Sequence, residues 1–321
     1  MHAAFISHFG DSSVIQIKTI EPQAPIGGEV QIKITSAGLN RADILYREGR
    51  HYMRPATFPA RIGYEGAGIV TAVGPETQAA IGERVALFPC GFDVTTQGAL
   101  AQTVTVPYAQ TISTPAHISD HDAGAYWMMY LTASGALLPY VKKDATVAIS
   151  AASSSVGMAA IATCRALGAF PIALTTQIET KWDALLAAGA HEVLDIRASD
   201  LAKQLKAIDV AFCAVSGPVI NSYTKALKPG GRIIQYGLLD ASPWTPHVGL
   251  MIGKHIALEY FNIVQLLENP MQLAETIAFI QTHIGKALPI HMHQTFPLND
   301  LVRAMEVMEA NRHVGKIVIL P

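Results

Sequence analysis

The chain has 321 residues, half of them hydrophobic and 15% charged, enough apolar material for two packed cores. Its formal net charge is −2 with the signs interspersed, which excludes a broad basic face for nucleic acid. Cys90, Cys164 and Cys213 are far apart, odd in number and without metal-type spacing, so they read as buried thiols of a reducing compartment rather than a disulfide framework. Residues 1–20 carry Asp11 and alternate in strand fashion; no signal peptide is read there, and the cytoplasm is the expected location.

The first part of the chain, residues 1–118, reads as a β-rich, barrel-like domain. Residues 14–17 and 30–35 alternate in period two, and further strands are expected at 68–73 and 84–88. Gly27-Gly28, Gly74-Pro75 and Gly91 punctuate them. Residues 123–141 then run without a charge, long enough to raise the question of a membrane span. Gly124, Thr132, Ser134, Gly135 and Pro139, with no basic cluster at the start, point instead to a buried helix at a domain junction.

From about residue 119 to 285 the pattern alternates strand and helix. Residues 146–149 form a short apolar, β-branched run, residues 150–155 are all small, and 158–167 read as a helix that Gly168 ends. A strand, a small-residue turn and a helix N-terminus make a phosphate cradle, because free backbone N–H groups and the positive end of the helix dipole converge there. A dinucleotide is the expected guest. Of the G-x-G-x-x-G pattern only Gly157 remains; Ser154 and Ser155 stand where glycines are usual, and their hydroxyls can donate to phosphate oxygens. A strand at 170–175, a helix at 181–188 and a strand at 192–194 complete a βαβαβ unit. Further strands are expected at 210–215, at 232–236 after Pro229-Gly230-Gly231, and at 256–261.

The tip of the second of these strands bears on the cofactor. A carboxylate on the ribose 2′-OH marks NAD sites, yet the segment here is Thr175-Thr176-Gln177, with Lys181 one turn on. Hydroxyls and a lysine suit a 2′-phosphate, which favours NADPH; Glu179 on a bent loop keeps NADH open. The tail, with a helix at 299–309 and a strand at 316–320, returns to the style of the first part. Two domains are therefore expected: residues 1–118 with 286–321, and a dinucleotide-binding domain at 119–285.

Several segments, in order, resemble one family. Gly38-Leu-Asn-Arg-Ala-Asp43, Phe58-Pro59, Gly63-Tyr-Glu-Gly-Ala-Gly68 and Val73-Gly74 are followed by Tyr130-Leu-Thr-Ala133 and the serine loop. Pro229-Gly-Gly-Arg232, Tyr236-Gly237 and Val314-Gly-Lys-Ile-Val318 complete the set. Together they resemble the medium-chain dehydrogenase/reductase superfamily, and within it the zinc-independent quinone oxidoreductase branch. The resemblance implies an α/β chain with a GroES-like barrel domain and a Rossmann-type, doubly wound parallel sheet. It implies that Asn40 lies beside the nicotinamide ribose and the acceptor, and Thr132 at the nicotinamide end. Ser153, Ser154, Ser155, Val156 and Gly157 would take the pyrophosphate; Thr175, Thr176 and Lys181 the adenosine phosphate; Tyr236, Gly237 and Lys316 the rest of the cofactor groove.

Zinc-dependent relatives draw a cysteine from the segment that is Gly38-Leu39-Asn40 here, and a histidine from the one that is Gly63-Tyr64-Glu65. Asn40 and Tyr64 offer neither thiolate nor imidazole, and the run of four cysteines for a structural zinc is missing from the sequence. A metal-free enzyme is expected, with the pair His291-x-His293 read as exposed histidines. Two departures stand out. Relatives often carry Gly-x-Tyr before a proline, the tyrosine facing the acceptor; here Gly49-Arg-His51-Tyr52-Met-Arg-Pro55 leaves both His51 and Tyr52 as the acceptor-side donor. Cys213-Ala214 stands where Asp-Pro is common, which alters the adenine side.

The resemblance implies NADPH-dependent hydride transfer to a quinone. Reduction of enal or enone double bonds stays open beside it. So does reduction of an enoyl thioester, for which Arg47, Arg50, Arg54 and Arg61 would form a basic landing site. A non-catalytic NADPH-binding role is the reading of another class. The partners implied are a small-molecule acceptor and a second copy, joined through the dinucleotide sheets, with no nucleic acid or membrane.

Overall fold

The computed structural model describes residues 1–88 and 93–321, so Cys90 and Gly91 lie outside the described residues. The chain forms two compact units, Met1–Met128 with Met292–Pro321, and Met129–His291. The first opens with strands β1 (His2–Ile6), β2 (Ile15–Thr19) and β3 (Glu29–Gly38), helix α1 (Arg41–Arg47), and strands β4 (Ala60–Arg61) and β5 (Ala67–Val73). Strands β6 (Arg84–Leu87), β7 (Thr103–Pro107) and β8 (Thr111–Ser113), then helix α2 (Asp120–Ala123), follow. β2 begins one residue later than the alternation predicts, because the Asp11 side chain accepts from Ser13 N and winds residues 12–14 into a 3-10 turn. β3 is the hub: Val30, Ile32 and Ile34 are buried on one face, and the strand pairs antiparallel with both β5 and β7.

Helix α3 (Trp127–Leu137) carries the chain from one unit to the next. It occupies the uncharged stretch at 123–141, and no helix among the described residues is long and apolar enough to cross a membrane. The second unit alternates β9 (Thr146–Ile149), α4 (Ser155–Ala166), β10 (Phe170–Thr175), α5 (Ile178–Ala187), β11 (Glu192–Asp195) and α6 (Leu201–Gln204). It continues with β12 (Ile208–Cys213), α7 (Val219–Ala226), β13 (Leu227–Gln235), α8 (Val248–Lys254), β14 (Ala257–Tyr260), α9 (Ile263–Leu267) and α10 (Pro270–His283). The six strands are parallel in the order β11-β10-β9-β12-β13-β14. That order reverses direction between β9 and β12, and such a switch opens a crevice at the carboxyl ends of the strands. Pro229-Gly230-Gly231 does not precede β13 but lies inside it, where the pairing with β12 shifts register after Ile208.

The tail adds β15 (Met292–Pro297), α11 (Leu301–Glu309) and β16 (Lys316–Leu320) to the first unit. β16 pairs parallel with β15 and antiparallel with β3, so the last strand sits inside the seven-stranded sheet rather than at its edge. Ile317 and Ile319 are fully buried in the same core as Val30 and Ile32.

Candidate cofactor and active-site residues

The serine loop lies at the switch point of the parallel sheet. Ser150 N donates to Phe212 O at 3.0 Å and Ser150 Oγ accepts from Ala214 N at 2.7 Å, tying the ends of β9 and β12 together. Ala151 turns the chain with φ of 48°, and Ser154 caps α4 by accepting from Gly157 N at 3.1 Å. This cap starts the helix three residues earlier than the apolar pattern predicts. Ser155 and Val156 then occupy the first turn, where amides have no intrahelical acceptor. A Cβ on Gly157 would sit 2.5 Å from Ala151 O and 2.6 Å from Ala152 Cα, so only glycine lets the loop fold this closely on the helix. Beside it Tyr236 stacks on Phe212, ring centroids 4.0 Å apart. Gln235 Oε1 is buried without a hydrogen-bond partner, and the buried Tyr236 hydroxyl makes no close hydrogen bond but faces the Ser154 side chain; burial pushes the Tyr236 pKa up. Unpartnered polar atoms of this kind are uncommon in a finished interior and fit a polar guest.

At the second strand tip, Thr175 is buried, Thr176 exposed, and α5 begins at Ile178 rather than at Lys181. Lys181 is buried and its Nζ donates to Ser153 Oγ at 3.0 Å, so the ammonium leans onto the serine loop itself. Burial lowers its pKa. Glu179 is exposed on the same helix. Thr132 is half-buried on α3, and Gly237 packs against Ala214 O. The structure therefore gathers Ser153, Ser154, Gly157, Lys181 and Tyr236 around one loop.

The first unit holds a different kind of centre. Lys316, with its side chain fully enclosed, forms an ion pair with the equally buried Glu65. Its Nζ also donates to Asn40 Oδ1 at 2.7 Å, while Asn40 Nδ2 donates to Glu65 Oε1 at 3.0 Å. Met128 N donates to the other Glu65 oxygen at 3.0 Å. Asn40 N donates to Asp43 Oδ2 at 2.8 Å in the first turn of α1. Asp43 Oδ1 has no partner, and burial pushes this carboxyl up to about 7. A Cβ on Gly38 would come within 2.6 Å of both Glu65 Oε1 and Lys316 Cε, so the cluster is closed over a glycine. Asn40, Glu65 and a tyrosine do not make a zinc site, and a lysine ammonium already takes the oxygens of Asn40 and Glu65. Among the described residues no group of three or more His, Cys, Asp or Glu side chains converges for a metal.

His51 and Tyr52 also belong to this unit. Tyr52 is 67% exposed and its ring lies over His51, centroids 4.4 Å apart. His51 is half-buried, which lowers its pKa, and its Nδ1 lies 3.0 Å from the Tyr64 hydroxyl. The arginines expected to cluster do not all face solvent. Arg47 is buried and paired with Glu309 at 2.6 Å, and Arg61 spends its donors on Gly98 O, Thr103 O and Gln97. Only Arg50 and Arg54 remain exposed. Glu65, Asp43 and Gln235 were missed by the sequence reading. Glu65 stood in the Gly63-Tyr-Glu segment, with no local signal that it meets Lys316.

His291 precedes β15, and its buried Nε2 has no hydrogen-bond partner. His293 is exposed on β15. Cys164 and Cys213 are buried free thiols whose pKa values burial raises.

A six-stranded parallel sheet with a serine cradle at its switch point, joined to a β-rich unit, is the architecture of a nucleotide-dependent oxidoreductase. The alcohol dehydrogenase GroES-like domain family matches residues 27–116, and the zinc-binding dehydrogenase family matches residues 188–319. The fold superposes on the Escherichia coli quinone oxidoreductase complexed with NADPH with a TM-score of 0.88, covering all of both chains at 24% identity. In sequence the chain is 27% identical, over 97% of its length, to the mycocerosic acid synthase-like polyketide synthase of Mycobacterium tuberculosis. It spans only 15% of that protein's length. It is 26% identical to the human synaptic vesicle membrane protein VAT-1 homolog, covering 97% of this chain and 84% of that one. The chain belongs to the medium-chain dehydrogenase/reductase superfamily, with the fold of its zinc-independent quinone oxidoreductase branch.

Proposed function

We propose that the chain is an NADPH-dependent reductase that delivers hydride to a conjugated carbonyl acceptor, a quinone first of all, without zinc. The observation that carries this reading is the loop at 150–157. Its close approach requires Gly157, a buried lysine supports it, and Gln235 Oε1 nearby is buried without a partner.

When bound, the reduced nicotinamide supplies the hydride. Ser154, Ser155 and Val156 hold the pyrophosphate by hydroxyl and first-turn amides. Thr175, Thr176 and Lys181 hold the 2′-phosphate, and Gln235, Tyr236 and Gly237 line the groove. Asn40 is fixed by Lys316 and Glu65, so Lys316 acts by holding Asn40 in place rather than by touching the cofactor. Without a Lewis acid the acceptor must itself spread the incoming charge onto an oxygen, as quinones and enones do, and that oxygen needs a donor. His51 and Tyr52 supply it.

An enoyl thioester is the second reading. The sequence likeness to a polyketide synthase favours it, although only Arg50 and Arg54 are left to meet its anionic arm. The buried thiols are in keeping with a reducing cytoplasm.

The working form in this reading is a homodimer joined at β14. That strand is one of the two edges of the parallel sheet, the one beside an apolar groove of about 640 Å³ lined by Trp244, Val248, Ile252 and Tyr260. Sedimentation equilibrium checks it: a single species of twice the chain mass is expected, and a monomer at all concentrations would remove it.

The direct test of function is a fluorescence titration with NADPH and NADH, followed by 1,4-benzoquinone and then 2-hexenal. Tighter NADPH binding and quinone-dependent oxidation are expected. Oxidation by hexenal alone selects the alkene reading. Binding without turnover of either selects the non-catalytic one.

A further inference from the structure

The geometry around His51 assigns a role to Tyr64, the residue that stands where zinc-dependent relatives carry a histidine. We infer that Tyr64 is a positioning residue that, together with Met53 N, locks His51 as a neutral imidazole with its proton on Nε2, turning it into a fixed hydrogen-bond donor for the acceptor oxygen. The inference rests on the acceptor-side role given to His51 above.

Two donors converge on one nitrogen. Met53 N lies 3.1 Å from His51 Nδ1 and carries a hydrogen it cannot lose. Nδ1 must therefore present its lone pair. The Tyr64 hydroxyl lies 3.0 Å from the same Nδ1, so it too must donate, since that nitrogen has no hydrogen to give. A neutral imidazole whose Nδ1 accepts carries its proton on Nε2. An imidazolium would place a hydrogen on Nδ1 against both donors, so the geometry opposes protonation, and burial, the largest influence on this group, lowers its pKa against a Met53 backbone contact that raises it.

Tyr64 is itself well placed to act only as a donor. It is buried, packs edge-on against Tyr46 with ring centroids 6.1 Å apart, and burial raises its pKa. The groups that face this pair are uncharged or enclosed: Tyr52 lies over the imidazole, and Tyr46 and the raised carboxyl of Asp43 stand behind Tyr64. His51 Nε2 has no protein partner among the described residues, which leaves its N–H for a ligand. In this arrangement Tyr64 does no chemistry. Together with Met53 N it holds the proton of His51 on Nε2.

The test is a long-range ¹H–¹⁵N correlation spectrum of the histidine-labelled protein, with His51 assigned from the His51→Ala variant. The wild-type protein is expected to show a bare Nδ1 and a protonated Nε2 from pH 6 to 8. A protonated Nδ1 or an imidazolium at pH 7 overturns the inference, with no variant of Tyr64 needed. Tyr64→Phe leaves Met53 N as the single donor to Nδ1 and is expected to let a minor Nδ1-protonated tautomer appear, with a His51 pKa nearer the ordinary value. Its kcat should fall about tenfold with KM within about twofold. The two readings separate cleanly. The expected tautomer together with full quinone reductase activity in His51→Ala supports the lock and removes His51 from the reaction.

Discussion

The parallel-sheet unit makes its candidate site by leaving atoms out, whereas the β-rich unit makes its own by burying charges. Around the serine loop the decisive features are a missing side chain at Gly157, a backbone turn at Ala151 and hydroxyls from Ser153 and Ser154. Around Asn40 they are two carboxylates, a lysine and an amide, all buried. A site shaped by absence tolerates no added volume but carries little electrostatic risk. A site built from buried ions is closed as tightly, over Gly38, and in addition each ion depends on the others remaining in place.

That contrast can be broken first at Lys316. Lys316→Met leaves Glu65 buried without its cation, and the unfolding free energy is expected to fall by about 3–5 kcal/mol in urea titrations. Adding Glu65→Gln should return most of it. A loss below about 1 kcal/mol would mean that the ion pair is not the keystone of this unit. Next, Gly157→Val pushes a side chain into the backbone of Ala151 and Ala152. The NADPH dissociation constant should rise at least about a hundredfold by fluorescence titration, with no change at Asn40.

A pH-dependent effect of comparable size is expected at Asp43. Its folded-state pKa of about 7 lies above the ordinary value of 3.8. The folded protein thus keeps a proton that the unfolded chain has released. Stability should therefore fall as pH rises from about 4 to 7 and level off above, with a slope of at most about 1.4 kcal/mol per pH unit. Urea midpoints across that range should show the slope, and Asp43→Asn should flatten it. The smallest effect falls at Lys181, where Lys181→Met should reduce the preference for NADPH over NADH by about tenfold in paired KM measurements. An unchanged preference would leave Thr175 and Thr176 as the only candidates for the 2′-phosphate.

The division of labour also explains what the sequence could disclose. The serine cradle was legible because its chemistry is local: strand, turn, cap and helix follow one another within residues 146–167, and periodicity marks each. The α/β class and the parallel sheet followed from the same pattern, repeated. Helix boundaries were less legible, since Ser154 and Gln177 start α4 and α5 before the apolar pattern does. The Asn40–Glu65–Lys316 centre was hidden for the opposite reason. Its members come from three distant segments, and nothing in the neighbourhood of Lys316 says that it meets Glu65. Arg47 and Arg61 misled in the same way: clustered charges read as a surface, while the fold turns both inward.

The placing of β16 inside the first sheet has a consequence for the order of biosynthesis. Glu65 and Lys316 are 251 residues apart, and the whole of the second unit is translated between them. While the ribosome makes that unit, β3 waits without the neighbour that completes it, and Glu65 without its cation. The parallel sheet can close around its own core in this interval, and the β-rich unit cannot. The nascent chain thus holds a finished parallel sheet tethered to an unfinished β-rich unit. The step that completes its sheet is the arrival of five residues, Lys316–Leu320, between β15 and β3.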